Sequence, residues 1–310
     1  MYQSITHARG YSVGVLCLLL SAALLASAPR RAWAQQAKPA EVEAKNKAIE
    51  EENRKISEIN VIVNRSFLGG NEALSLKRYD EAIAFYDEGL ATDPTHPGVP
   101  VLLTNKSVAL RARGVDRYNA ALASKDAAKK ASELKAAGQD FREAAEAATN
   151  AVRLLESQQP SAVDPADLKM SEGNKYYALV ARAEALRLLV SKVDPKLAGE
   201  GLNAFREYIA AETDPDKKAK AQLDLAQMLM NAAANNQAVA EFRRILADDP
   251  NNLDANFGIA QALIQSGSKG KVSEASDHLR LFLSLAPDTD KRKADARDLL
   301  EVLRNEGLAP

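Results

Sequence analysis

Residues able to perform chemistry are few in this chain, and they are too far apart to form a local motif. The 310 residues include three histidines and one cysteine. His96 and His278 share no motif with each other or with a carboxylate pair, whereas a metal site normally takes two ligands at helical or turn spacing. The sequence has no Walker A loop and no G-x-S-x-G nucleophile elbow. We therefore expect no enzyme activity, no metal and no cofactor.

The elements that must position any functional side chain are indicated by a spacing that recurs three times. An alanine is followed four residues later by a bulky residue and twelve residues later by a proline. Residues i and i+4 share one helical face and proline stops a helix, so each copy describes the second helix of a helix–turn–helix repeat. The copies are Ala82, Tyr86 and Pro94; Ala238, Phe242 and Pro250; and Ala275, Leu279 and Pro287.

A first helix precedes each copy. Thirteen and twelve residues before Ala82 and Ala238 stand Gly69-Gly70 and Leu225-Ala226, and Ile259-Ala260 fill the same slot before Ala275 with about three extra residues in the intervening turn. Small residues there let paired helices approach closely. Over about residues 60–287 the pattern resembles the tetratricopeptide repeat (TPR) family. The resemblance implies an all-α, right-handed TPR α-solenoid of about five helix–turn–helix repeats with a C-terminal capping helix.

Repeat boundaries follow from this spacing and from helix-stop signals. Within an array of residues 63–287, we predict repeats at about 63–96, 100–157, 165–213, 219–252 and 253–287. The second is longer because residues 115–137 intervene without proline or glycine. This Ala- and Lys-rich stretch should be helical, either as an extension of the repeat helices or as an inserted helix, with the second helix beginning only at Phe141.

Three further features help to delimit the array. Asp194-Pro195 and Asp214-Pro215 are typical helix starts, with an aspartate N-cap before a proline. Residues 288–310 are predicted to be a capping helix and tail, with three leucines on one face. Residues 35–62 are predicted to be a charged linker and helix that carries isoleucines as a thin apolar stripe. The three leucines of the capping helix are Leu299, Leu300 and Leu303, and the isoleucines of the N-terminal helix are Ile49, Ile56 and Ile59.

Residues 1–34 have the features of a secretory signal peptide. A charged start precedes the apolar run 11–28, and Ala32 and Ala34 supply the small residues that a signal peptidase reads. We predict cleavage before Gln35 and an exported protein, periplasmic or secreted. The alternative is an uncleaved anchor, because the apolar run is long enough to span a membrane and two arginines follow it. Membrane association is expected only in that case.

Composition narrows the classes of partner. Cys17 is the only cysteine, so the cleaved chain could form no disulfide, which is common in a bacterial periplasm. The chain has 41 basic and 42 acidic residues, and three of the basic ones lie in residues 1–34. The remainder is slightly acidic, which argues against nucleic-acid or anionic-membrane binding through bulk charge.

Two asparagines invite a specific comparison within the TPR family. Some chaperone-cofactor TPR domains hold a C-terminal carboxylate with two asparagines, two lysines and an arginine on three successive first helices. Asn71 and Asn105 fill the asparagine positions, but Phe67 and Tyr177 replace the lysines and Ala181 replaces the arginine. Without those cations the site cannot hold two carboxylates. We therefore interpret the asparagines as residues that cap or brace the turn between helices.

A more general groove remains, because first-helix side chains at fixed repeat positions should line a concave surface. Their mixture of apolar, amide and charged groups suits a protein or extended peptide rather than a nucleotide. Phe67, Leu74 and Phe257 could belong either to this surface or to the core. The predicted groove residues are Asn71, Thr104, Val108, Arg111, Tyr177, Glu184, Arg187, Gln227, Asn231 and Gln261.

The sequence thus predicts a non-catalytic, exported TPR scaffold that binds a protein or peptide in the cell envelope. The alternative is a structural or assembly component of an envelope complex that uses its outer helices for contact. An enzyme, or an accessory domain of one, is disfavoured because no active-site constellation is present.

Overall fold

The computed structural model describes residues 39–157, 165–267 and 269–305. The chain divides into two units, residues 1–52 and 53–310. Of the first unit, residues 39–52 are described, and they are helical throughout. The predicted signal peptide, its alternative as an anchor, and the extreme C-terminal tail all lie outside the described residues.

The prediction of an all-α fold is confirmed, since the described residues form eleven α-helices and no strand. Short 3₁₀ segments, Pro195–Leu197 and Lys269–Lys271, precede α6 and α10. The helices are α1 (Pro39–Ser75), α2 (Tyr79–Thr92), α3 (Val99–Ala123), α4 (Ala127–Ser157), α5 (Pro165–Lys192), α6 (Ala198–Ala211), α7 (Pro215–Asn231), α8 (Asn235–Asp248), α9 (Leu253–Gln265), α10 (Val272–Leu285) and α11 (Arg292–Asn305).

Packing within the second unit follows the order of the chain, as in an α-solenoid. Each helix from α2 to α10 packs against the one that follows it. The helices α1, α3, α5, α7 and α9 are called first helices here, and α3, α5 and α7 each also contact the next first helix along the array. Comparable contacts do not join the second helices α2, α4, α6, α8 and α10 within the described ranges. The first helices therefore form the inner side of the array and the second helices form the outer side.

The small residues of the repeated spacing are structural, as predicted. Ala82, Ala238 and Ala275 are fully buried between helices. The ring of Tyr86 lies so close to Gly70 that a Cβ added to this glycine would come within 2.3 Å of it. Only a residue without a side chain fits there, which explains why helices α1 and α2 can approach each other closely.

Residues 115–137 form no separate helix. They extend the end of α3 and the start of α4, so that α4 begins at Ala127 rather than at Phe141. The high helix propensity of this Ala- and Lys-rich stretch explains the earlier start. Asp126 caps α4, because its Oδ1 accepts hydrogen bonds from the backbone N–H groups of Ala128 (2.8 Å) and Lys129 (3.1 Å).

A buried carboxylate joins the two lengthened helices. Asp140 on α4 is only 2% exposed at its side chain and pairs with Arg113 (2.6 Å) and Arg117 (2.9 Å) on α3. Arg113 also donates to Asp80 on α2 at 2.5 Å. A buried carboxylate with two arginine partners is compensated, so this network fixes α2, α3 and α4 relative to one another.

The predicted helix starts are observed with one shift. Asp214 caps α7 by accepting hydrogen bonds from the backbone of Asp216 and Lys217. Asp194 instead caps the 3₁₀ segment through Lys196 N, so α6 begins three residues after Pro195. An aspartate–proline pair marks a turn of either helix type, which is why the sequence placed α6 too early.

The capping helix is confirmed as α11, which packs against α10. Arg292 at its start pairs with Asp290 and with Asp254 on α9. Its guanidinium also lies over the rings of Phe257 and Phe282, 5.7 and 5.2 Å from their centroids. Together with the buried apolar side of α11, these contacts cover the end of the array.

Candidate functional site

The inner face, defined here as the exposed side of the first helices, begins with a cluster of amides. Asn71 Oδ1 on α1 accepts hydrogen bonds from Tyr86 OH on α2 (2.8 Å) and from Asn105 Nδ2 on α3 (2.9 Å). Burial raises the pKa of Tyr86, so its hydroxyl remains a donor. The two asparagines therefore brace three helices, and the prediction that they brace a turn is wrong.

Two amide groups of this cluster are still available for recognition. Asn71 Nδ2 and Asn105 Oδ1 have no hydrogen-bond partner among the side chains that the structure describes. One is a donor and the other an acceptor, and both residues are only partly buried. The cluster can thus offer one donor and one acceptor in a fixed orientation.

The second cluster on the inner face is ionic and lies between α3 and α5. Glu184 Oε2 accepts a hydrogen bond from Arg187 (2.8 Å), and Arg111 lies 3.6 Å from the same oxygen. Burial would raise the pKa of Glu184, but the charges of Arg187 and Arg111 outweigh it and hold that pKa below its usual range. The carboxylate is therefore ionised near neutral pH.

This geometry changes what the sequence predicted for the two arginines. The sequence predicts Arg111 and Arg187 simply as groove residues, whereas the structure brings both to Glu184. Arg111 Nε is buried and has no hydrogen-bond partner among the described side chains. A ligand carboxylate at this position would share the arginines with Glu184 instead of meeting two unengaged cations.

On α7 the polar positions continue along one helical face. The predicted residues Gln227 and Asn231 are exposed and joined by a hydrogen bond of 3.2 Å. Asp224 and Lys220, one and two turns before Gln227, form an ion pair, and the charge of Lys220 also helps to lower the pKa of Glu184. The sequence analysis missed Lys220 and Asp224, although their helical spacing to Gln227 places them on the same face.

Tyr177 is the aromatic member of the predicted groove residues, and it is 57% exposed. Its ring packs edge-on against Tyr176, with 5.4 Å between the centroids. An aromatic ring held in place on one side and open on the other is a suitable contact for an apolar side chain of a partner.

Beneath Tyr177 lies a buried tyrosine–carboxylate cluster that the sequence did not reveal. Glu212 accepts hydrogen bonds from Tyr176 OH, from Tyr208 OH (3.3 Å) and from Asp214 N (2.9 Å). Burial would raise the pKa of Glu212, but these hydrogen bonds lower it, while burial and the carboxylate raise the pKa of Tyr208 to about 12. The cluster anchors α5 and α6 to the start of α7.

Some predicted groove residues do not lie in a groove. Thr104 is buried, and its hydroxyl donates to Pro100 O within α3. Phe257 is buried against Phe282 at 5.0 Å, and Phe67 and Leu74 are half-buried against the core. These side chains contribute to packing, because the inner positions nearest a neighbouring helix are covered by it.

Val108 and Gln261 complete the predicted set. Both are half-buried on first helices, Val108 on α3 and Gln261 on α9. The structure thus brings together the asparagine pair and the Arg111–Glu184–Arg187 group, and it places the remaining residues separately along the inner side.

The outer face uses its charges differently. Glu241 on α8 accepts hydrogen bonds from Arg206 on α6 (3.1 Å) and from Arg244 on its own helix (2.8 Å). Arg243 on α8 reaches Glu274 on α10 at 2.7 Å. Long arginine–glutamate pairs therefore bridge successive second helices, which lie farther apart than the first helices.

The two described histidines are engaged in hydrogen bonds. His96 Nδ1 accepts from Gly98 N (2.9 Å), so its Nε2, 2.9 Å from Asn60 Oδ1, carries the proton. His278 Nδ1 lies 2.8 Å from Asn256 Oδ1. Burial lowers the pKa of both imidazoles. Within the described ranges, no group of three or more His, Cys, Asp or Glu side chains could hold a metal ion.

Across the part of the chain that the structure covers, no helix combines the length and the apolar character needed to cross a bilayer.

Comparison with known proteins gives structural neighbours only. No model of a known protein family matches the chain, and no curated protein matches it. One similar solved structure is YrrB, described as a TPR protein with an unusual peptide-binding site. It is 17% identical, with 84% of this chain and 97% of that chain covered and a TM-score of 0.42. Another is the TPR2AB domain of yeast Sti1 in its complex with pHSP90, 15% identical, with 78% and 98% covered and a TM-score of 0.28.

Proposed function

We propose that this chain is a non-catalytic scaffold that binds an extended segment of a protein partner on its inner face. The observation that carries the proposal is the alignment of polar clusters on successive first helices. The amide cluster joins α1 to α3, and the Glu184 cluster joins α3 to α5. Clusters of oriented polar groups that follow one another on the inner side of a solenoid suit an extended ligand that crosses several repeats.

Each cluster offers a different kind of contact. Asn71 Nδ2 and Asn105 Oδ1 can pair with a backbone C=O and N–H of the bound segment. Arg111 and Arg187 can add charge-assisted hydrogen bonds to a carboxylate of the ligand. Tyr177 can pack against an apolar side chain. The inner face therefore favours a segment with an acidic residue and an apolar residue rather than a basic one.

An array of synthetic peptides of graded acidity, probed with the purified chain, tests this function. A peptide that binds should lose affinity on Asn105→Ala and keep it on Asn203→Ala, an exposed asparagine on the outer helix α6. Circular dichroism of both variants checks that the fold is intact. Loss of affinity only with the outer substitution would support instead an assembly component that uses its outer helices.

We also propose that the chain acts outside the cytoplasm, which rests on the signal-like features of residues 1–34. N-terminal sequencing of native material should begin at Gln35. An intact Met1 together with membrane retention would replace this proposal with a single anchor formed by residues 11–28.

A further inference from the structure

We propose that the N-terminal part of α1 forms a parallel coiled coil with a second copy of this chain. Every residue from 40 to 58 is exposed. Three apolar side chains in this stretch are about half exposed: Val42 at 44%, Ile49 at 53% and Ile56 at 50%. The proposal uses none of the predicted groove residues and does not depend on peptide binding.

The spacing of these residues is that of a coiled-coil seam. Val42, Ile49 and Ile56 are seven residues apart on one continuous helix, so they recur along a single line of it. Asn46 and Asn53 each stand three residues before the next isoleucine. In heptad notation, the asparagines occupy a positions and the apolar residues occupy d positions.

The heptad register follows from the free-energy cost of burying the side chains on either side of the apolar line. Beside the apolar line, one flank carries Asn46 and Asn53, and the other flank carries Lys45 and Glu52. Burying an amide is far less unfavourable than burying a charge, provided that the amide finds a partner. The asparagine flank therefore turns toward the partner helix, and the charged flank stays at the edge of the seam.

The asparagines also identify the partner and its direction. An amide is both donor and acceptor, so it is satisfied by an identical amide at the same level. Only a parallel copy in register places Asn46 opposite Asn46 and Asn53 opposite Asn53. In that arrangement Lys45, at a g position, lies near Glu50 of the second copy, at an e position, with opposite charge.

The seam ends at the residues of α1 that make contacts within their own chain. The next residues in the same pattern are Asn60, whose Oδ1 is 2.9 Å from His96 Nε2, and Val63, which is buried. About two heptads therefore remain for a second copy. Because so short a seam is weak, we expect association that depends on concentration. A pair of chains would carry two inner faces and could hold a partner with repeated segments more tightly.

Sedimentation equilibrium of the full chain over a wide range of concentration tests the association. The native chain should approach the mass of two chains, and Ile49→Lys with Ile56→Lys should weaken the association at least about tenfold. Ala44→Lys with Ala48→Lys adds the same charge to outward heptad positions and should leave it unchanged. A native chain that stays monomeric throughout, or equal effects of the two double variants, would overturn the proposal.

The direction of pairing has its own test in a chain that carries Cys17→Ser. Asn53→Cys places two cysteines opposite each other only if the helices are parallel and in register, so mild oxidation should give a covalent dimer. Ala44→Cys at an outward position should not. Cross-linking by Ala44→Cys alone, or by neither variant, would exclude the parallel seam.

Discussion

Glu184 on the inner face and Glu274 on the outer face both pair with arginine, but their surroundings differ. The Glu184 side chain is 17% exposed and lies between Arg111 and Arg187, whereas Glu274 is 34% exposed and pairs with Arg243, itself 55% exposed. An exposed pair contributes little to stability, while a largely buried carboxylate needs its partners. The outer pair spans a gap between helices, and the inner group holds two arginines in a fixed orientation.

Most of the stability should come from the buried contacts between the paired helices of each repeat, and less from the charges on either face. Ala238→Leu would force apart helices that the fully buried alanine lets approach, at a cost of about 3 kcal/mol, the largest effect expected here. Ala240→Leu, on the exposed side of the same helix, should cost far less. Hydrogen exchange should show the loss first in α7, α8 and α9, since repeats couple to their neighbours. Unchanged exchange in these helices would mean that the repeat register is wrong.

The next largest expected effect is a difference in the stability lost when Glu184 or Glu274 is replaced by glutamine. Glu184→Gln leaves two neighbouring arginines without their shared carboxylate and should lower the free energy of unfolding by about 2 kcal/mol. Glu274→Gln should lower it by less than about 1 kcal/mol. Urea unfolding of the two variants measures both changes. Equal losses would erase the distinction between these two glutamates.

Acid should weaken the array through its two histidines. Burial lowers the pKa of His96 and His278 from the ordinary value of 6.5, so the unfolded chain takes up protons first as the pH falls. The stabilisation is present above about pH 6.5 and is lost as the pH falls through the lower folded pKa values. Thermal melts at successive pH values should show this decline, and the double variant His96→Gln, His278→Gln should flatten it. A midpoint that rises on mild acidification would contradict the assignment.

The smallest effect concerns the turn between α7 and α8. Ala233 has a φ of +57°, where an L-residue is strained and glycine is not. Ala233→Gly should raise the free energy of unfolding by about 0.5 kcal/mol. This is the difference between the backbone strain that glycine relieves and the additional conformational entropy that glycine loses on folding. Ala232→Gly, at a φ of −84°, relieves no strain and should lower stability. A fall in melting temperature for Ala233→Gly would show that the strain is absent.

The sequence predicted the fold through short-range signals. The spacing of Ala82, Ala238 and Ala275 marks helices that must approach closely, and Asp214 marks a helix start, so both could be recognised locally. The length of α3 and α4 could not be inferred from repeat spacing. Helix propensity shows that residues 115–137 are helical, but it does not show where a chain turns back.

The candidate site was less accessible to sequence analysis. Arg111 and Glu184 are far apart in the chain, and nothing local indicates that the second neutralises the first. The spacing identifies Tyr86 as the bulky residue of its repeat, but the hydrogen bond from Tyr86 to Asn71 depends on how α1 and α2 pack. Helical register identifies the face on which a residue lies, and the partners across helices follow only from the packed structure.

The most direct test of inner-face recognition compares arginines from the two faces in binding a peptide selected on the array. Arg111→Ala and Arg187→Ala, made singly so that Glu184 keeps one partner, should each weaken binding about tenfold to a hundredfold. Arg243→Ala and Arg244→Ala should leave the affinity nearly unchanged, with all four variants folded by circular dichroism. Undiminished binding by the two inner variants, together with loss in the two outer ones, would contradict recognition by the inner face.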